Sequence, residues 1–180
     1  MGIATQELGD LWVMKYERGY DRKPVSIDYD SYFKCLLICA KGSGTLAPAE
    51  RDWIVGFAAA CGGSDELVEE LKTYPATEEV RHVLNESTAT FAEFGNWART
   101  LIYDSIRACY ADGELDGGER NTIFAMAAEL DVPSQMVAQL EELYLDEQRL
   151  RARRLNTLFP GLRPYANGSA RTHTSDAIRD

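Results

Sequence analysis

Residues Gly44 to Leu71, GTLAPAERDWIVGFAAACGGSDELVEEL, can be laid on residues Gly113 to Leu140, GELDGGERNTIFAMAAELDVPSQMVAQL, at a constant offset of 69 without a gap. Nine of the 28 pairs are identical: Gly44/Gly113, Leu46/Leu115, Glu50/Glu119, Arg51/Arg120, Ile54/Ile123, Ala58/Ala127, Ala59/Ala128, Val68/Val137 and Leu71/Leu140. Several of the others keep apolar against apolar, among them Val55/Phe124, Phe57/Met126, Cys61/Leu130 and Leu67/Met136, the mark of a repeated structural unit. Each copy reads as loop, helix, short turn, helix, so the repeat predicts a duplicated helical hairpin whose two halves bury each other's apolar faces. The paired alanines are expected to let two helices approach closely.

Working outward, the apolar spacing stays helical. Phe94, Trp97, Leu101, Ile102, Ile106 and Cys109 fall three or four apart and predict a helix from about Phe91 to Tyr110, opened by a Thr90–Glu93 capping box. The same spacing predicts helices at Tyr29–Ala40, Pro48–Ala60, Asp65–Thr73 and Thr77–Asn85, and no stretch alternates with the period of a strand. The fold class is therefore all-α. Residues 28–160 form the domain, with halves at about 28–75 and 97–144. Residues 1–27 read as an arm with a short helix, packed on the core through Trp12 and interrupted at Gly9, Gly19 and Pro24. Residues 161–180 read as a mobile tail without periodicity.

The chain has 180 residues, 45 % hydrophobic and 27 % charged, enough to bury a core without disulfides or a structural metal. Its 29 acidic against 19 basic residues leave a net charge of −10, which repels nucleic acid and anionic lipid and favours cations or basic proteins as partners. There is no signal peptide pattern and no apolar run long enough to cross a bilayer, so a cytoplasmic protein is expected. The four cysteines lack any CxxC spacing. Cys35 and Cys39 share a helix face and could offer two thiolates to zinc, but apolar surroundings favour simple packing. His82 reads as an exposed side chain and His173 lies in the tail. P-loop, GxGxxG, GxSxG and His-rich metal motifs are all missing, which leans away from an enzyme.

The loop from Ala111 to Arg120 has the most distinctive chemistry. Counted from Asp112, an EF-hand would have carboxylates at positions 1, 3 and 5 (Asp112, Glu114, Asp116) and glycine at 6, but position 12 is Ile123 and position 8 is Glu119. The pattern argues against a true EF-hand. Asp116 and Glu119 have the spacing of a capping box opening the next helix, and in the first half Pro48 and Glu50 stand at the first and third helical positions. Asp112 and Glu114 have no such role and read either as a solvated loop or as part of a weak Ca²⁺ or Mg²⁺ site. The candidate metal set is Asp112, Glu114, Asp116 and Glu119. Farther along, Arg149, Arg151, Arg153 and Arg154 follow Glu141, Glu142, Asp146 and Glu147. They read either as cations complementing a helix end or as an anion-binding patch.

Tyr110-Ala111-Asp112-Gly113-Glu114-Leu115, followed by Glu119-Arg120 and an apolar helix, resembles the Ala-Asp-Gly-Glu signature of TerB-like tellurite-resistance domains. The resemblance covers about residues 28 to 155. It implies an all-helical fold of two similar halves and an acidic cluster proposed to meet metal ions. The first half departs from the pattern, with Lys41-Gly42-Ser43-Gly44-Thr45-Leu46-Ala47 where acids would stand. Residues 28–63 hold four acids and three bases, residues 97–132 seven acids and three bases, so an acidic site is expected in the second half alone. The reading that follows is a non-catalytic helical interaction module, binding a protein partner and, weakly, a divalent cation. Its rival is a small enzyme or ligand-binding protein with an apolar pocket between the halves.

Overall fold

The computed structural model describes residues 5–19, 28–42, 44–87 and 97–161. Among these, all regular structure is helical. An α-helix at Thr5–Trp12 (α1) runs into a π-helical turn at Val13–Glu17, and is followed by α2 (Tyr29–Lys41), α3 (Pro48–Ala60), α4 (Asp65–Thr73), α5 (Val80–Ser87), α6 (Trp97–Cys109), α7 (Gly117–Glu129) and α8 (Ser134–Leu158). The first half is α2, α3 and α4, the second α6, α7 and α8.

Their local chemistry explains the boundaries. Asp28 caps α2, accepting from the Ser31 N–H at 3.2 Å and the Ser31 hydroxyl at 2.7 Å. Ser64 accepts from the Leu67 N–H at 3.2 Å and caps α4 in the same way. Gly42 ends α2 at φ +53°. A Cβ there would lie 2.5 Å from the Glu119 backbone nitrogen and 2.7 Å from the Gly118 carbonyl carbon, so this glycine lets the end of α2 meet the start of α7.

The core is the contact of α2 with α6. Leu36, Leu37, Leu101 and Ile102 are fully buried there, with Phe33 and Ile106 beside them, so side chains fill the interface between the halves. Helix α2 also packs on α7 and α6 on α3, two contacts related by the same exchange of halves. Ile54 and Ile123 occupy equivalent buried positions, as the repeat predicts. Only the first of each alanine pair does the close packing: Ala58 and Ala127 are buried, whereas Ala59 and Ala128 are exposed.

Three details differ from the sequence reading. Helix α5 begins at Val80 rather than Thr77, because Ala76 takes φ +50° and Lys41 Nζ donates to the Pro75 and Ala76 carbonyls at 3.1 and 3.2 Å, holding that stretch as an extended bend. Helix α1 continues through Gly9. Trp12 does not pack on the core: it is about half exposed, with its ring 5.6 Å from that of Tyr16. The arm is held instead by Met14, buried in the core, and by Arg18, whose guanidinium grips both oxygens of the buried Asp104 at 2.7 and 2.5 Å. A thioether fits an irregular gap where a flat indole does not. The Thr90–Glu93 cap lies outside the described residues, as does the tail from residue 162.

Replacing Ile54 or Ile123 by Ala is expected to lower stability by about 2–5 kcal/mol in chemical denaturation, with similar losses at the two sites. Gly42→Ala should destabilise more than an alanine at an ordinary left-handed glycine, since its Cβ meets α7 backbone rather than a movable side chain; thermal melting checks this.

A pair of capping carboxylates at the meeting of the halves

Helices α3 and α7 open alike. Pro48 stands at the first position of α3, and Glu50, third in the helix, turns back so that its Oε2 accepts the Ala47 N–H at 2.6 Å. In α7, Glu119 Oε2 accepts the Asp116 N–H at 2.8 Å, while Asp116 accepts the Glu119 N–H at 2.8 Å. The second half thus has the complete capping box that the sequence predicts. The first has only the returning glutamate, because Ala47 has no side-chain acceptor.

The returning glutamates do not point to solvent. Glu50 is 1 % exposed and Glu119 6 %, and the two carboxyls lie close enough for a hydrogen bond to form between them when one is protonated. Two residues equivalent under the duplication thus come together between the halves. Two ionised carboxylates cannot bond, since neither has a donor. Without a proton, Glu50 Oε1 is a buried acceptor with no partner.

The electrostatics follow. Burial pushes the Glu50 carboxyl well above the ordinary carboxylate range; the bond to Glu119 and the charges of Glu119 and Asp112 add to this, against the Ala47 N–H. Burial also raises Glu119, with Asp116 and Asp112 adding to it, while its bonds to Glu50 and the Asp116 N–H pull down. The pair therefore favours holding one proton between its two carboxyls, as other close carboxyl pairs do. The positive ends of the α3 and α7 dipoles favour keeping the remaining charge in place.

The four sequence-predicted ligands are not equally close to this pair. Glu119 is half of it. Asp116 is an exposed cap. Asp112 is half-buried, acts on both glutamates through its charge, and accepts the Glu114 N–H at 3.2 Å across the turn at Gly113. The Glu114 side chain is exposed. Glu50 was missing from the predicted ligands because its spacing explains it fully as a cap. The identity of Glu50 with Glu119 in the repeat was the signal that could have brought the two together. Among the described residues, no three carboxylate, thiol or imidazole groups are gathered as a ready-made metal site.

The cysteines stay thiols. All four are free and buried, and burial pushes each of them up, Cys39 and Cys61 to about 12. Arg51 and Arg120, identical in the repeat, differ in what they hold. Arg51 donates to the Leu71 and Tyr74 carbonyls at 2.7 and 3.0 Å, and Arg120 forks onto Glu141 at 2.6 and 2.7 Å. Each ties its helix to the next, one through backbone and one through charge.

The overall fold is shared with a solved structure. A tellurite resistance protein from Nostoc punctiforme PCC 73102, determined at 1.85 Å, matches with a TM-score of 0.76 and 36 % sequence identity, over 91 % of this chain and all of that one. The chain belongs to the TerB-like tellurite-resistance family. No family model and no curated protein matches it. Within this TerB-like fold, no described helix is long and apolar enough to cross a membrane.

A raised carboxyl stabilises the folded state while it holds its proton, and that contribution is lost as pH rises from the ordinary carboxylate range through the raised value. The melting temperature of the TerB-like chain should therefore fall between about pH 5 and pH 9. Glu50→Gln supplies a permanent donor to Glu119 and keeps the acceptor for Ala47. It should flatten this dependence and raise stability at alkaline pH by about 1–3 kcal/mol, the usual cost of an unmet buried acceptor.

Proposed function

We propose that this TerB-like chain is a non-catalytic helical interaction module that takes up a divalent cation, Ca²⁺ or Mg²⁺, where Glu50 and Glu119 meet. The observation that carries the reading is Glu50 Oε1, a buried oxygen left without a donor once the shared proton departs. A hard cation satisfies such an oxygen as a proton does, and carboxylate oxygens are the donors it prefers. Asp112 supplies a third negative charge nearby. An open cleft of about 640 Å³ reaches Gly42 and Gly118, beside the pair.

The small number of grouped ligands supports weak affinity, in the sub-millimolar to millimolar range of extracellular-type sites. The acidic surface favours a basic protein as the partner that reads the site. Filled packing between the halves supports a module over a ligand pocket at that place. The description of the Nostoc relative as a tellurite resistance protein leads us to place the module in that process.

Calorimetric titration with Ca²⁺ and Mg²⁺ in buffers of different ionisation enthalpy tests the reading. Affinity is expected to rise with pH and binding to release a proton, because the cation displaces the one shared by the glutamates. Glu50→Gln should abolish that release, and Asp112→Asn with Glu114→Gln should weaken binding. Asp116→Ala serves as the stability control, costing about 0.5–2 kcal/mol as a lost cap. Absence of binding at alkaline pH, with unchanged partner capture by the Asp112/Glu114 variant, would overturn the proposal.

A further inference from the structure

Two adjoining clefts along α6 and α8 carry a charge opposite to that of the chain. One, of about 440 Å³, lies between the N-terminal segment, α6 and α8 and has Arg18, Arg99 and Arg107 in its wall. The other, of about 360 Å³, shares Glu17, Arg107 and Glu147 with the first and adds Arg151 and Arg154. Every cation in the two walls is an arginine, and the five outnumber the two carboxylates, on a chain whose net charge is −10.

Known pairings do not use up this positive charge. Arg18 and Arg107 both bond to Asp104, and a single carboxylate cannot neutralise two guanidiniums. Arg107 makes only one bond to it, at 3.2 Å, and keeps 31 % of its side chain exposed while lying over the Trp53 ring. Glu147 accepts the Tyr103 hydroxyl at 2.5 Å. Arg99, Arg151 and Arg154 are exposed and form no ion pair among the described residues, in contrast to Arg149, which pairs with Asp146 on its own helix.

Helix-end electrostatics do not account for them either. Arg151 and Arg154 both precede the last turn of α8. Guanidinium forks match oxyanions bidentately, which an ammonium does not. A planar carboxylate is satisfied by one fork, whereas a tetrahedral phosphoryl group offers oxygens to several, here arriving from three elements. Because the clefts share Arg107, one elongated ligand can occupy both.

We propose that this double cleft binds a small soluble phosphate-bearing anion with at least two charged groups, of the diphosphate class. The acidity of the rest of the chain opposes an anionic membrane as the source of the phosphate. The site uses neither Glu50 nor Glu119.

The test is calorimetric titration of the full chain with inorganic pyrophosphate and inorganic phosphate at constant ionic strength. Saturable binding is expected, at least about tenfold tighter for pyrophosphate. Arg99→Gln with Arg151→Gln, both at exposed positions, should weaken pyrophosphate binding by at least about tenfold, with an unchanged circular dichroism spectrum. Arg153→Gln, on the same helix but outside both clefts, should leave it nearly unchanged. No saturable binding, or an equal loss from Arg153→Gln, overturns the proposal. Co-sedimentation with phosphatidylglycerol vesicles that exceeds binding to neutral ones overturns the soluble ligand.

Discussion

Neither half of this molecule can bury its own apolar face. Each is three helices around one hydrophobic strip, and the strip on α2 is covered by the strip on α6. Apart from the 25-residue α8, their helices have 13 residues or fewer, a length marginal in water on its own, so their persistence depends on that mutual burial. Everything else follows from bringing α2 and α6 into contact. The α2–α7 and α6–α3 contacts form as a pair, the starts of α3 and α7 are drawn inward, and the end of α2 is pressed so close to α7 that only a glycine fits at residue 42.

Duplication has an electrostatic consequence. A surface glutamate that caps a helix is harmless in a single hairpin. When the hairpin is copied and packed on itself, the equivalent glutamate arrives from the other side, and like charge meets like charge out of water. The fold meets this with a proton, with two backbone N–H donors and with two helix dipoles. The surroundings of the pair are not symmetric: the second half keeps Asp112 and Asp116, and the first has no acid at their counterparts, which gives the pair one acidic side.

Much of the fold was legible because the repeat and the helical spacing are properties of neighbouring residues. The bounds of α3 and α4, the burial of Ile54 and Ile123, and the Asp116–Glu119 box could all be read from spacing. The start of α5 could not, since it depends on Lys41 reaching across to two carbonyls 34 and 35 residues away. Trp12 misled for a related reason: helical apolar spacing identifies a face but not what the face meets. For the site, the acidic loop was visible and its partner was not. Glu50 looked finished as a cap, and only three-dimensional proximity gives its second oxygen a problem to solve.

Asp104 places a further condition on the molecule. It is fully buried and receives Arg18, Arg107 and the Tyr32 hydroxyl, the last at 2.5 Å. Arg18 comes from well before the repeated hairpins begin, yet it supplies the two-oxygen grip on a carboxylate that the core cannot otherwise hydrate. The boundary of the folding unit is therefore drawn by counter-ions rather than by sequence similarity. A shortened chain that starts at α2 would keep every repeated residue and still carry a core acid deprived of its best partner.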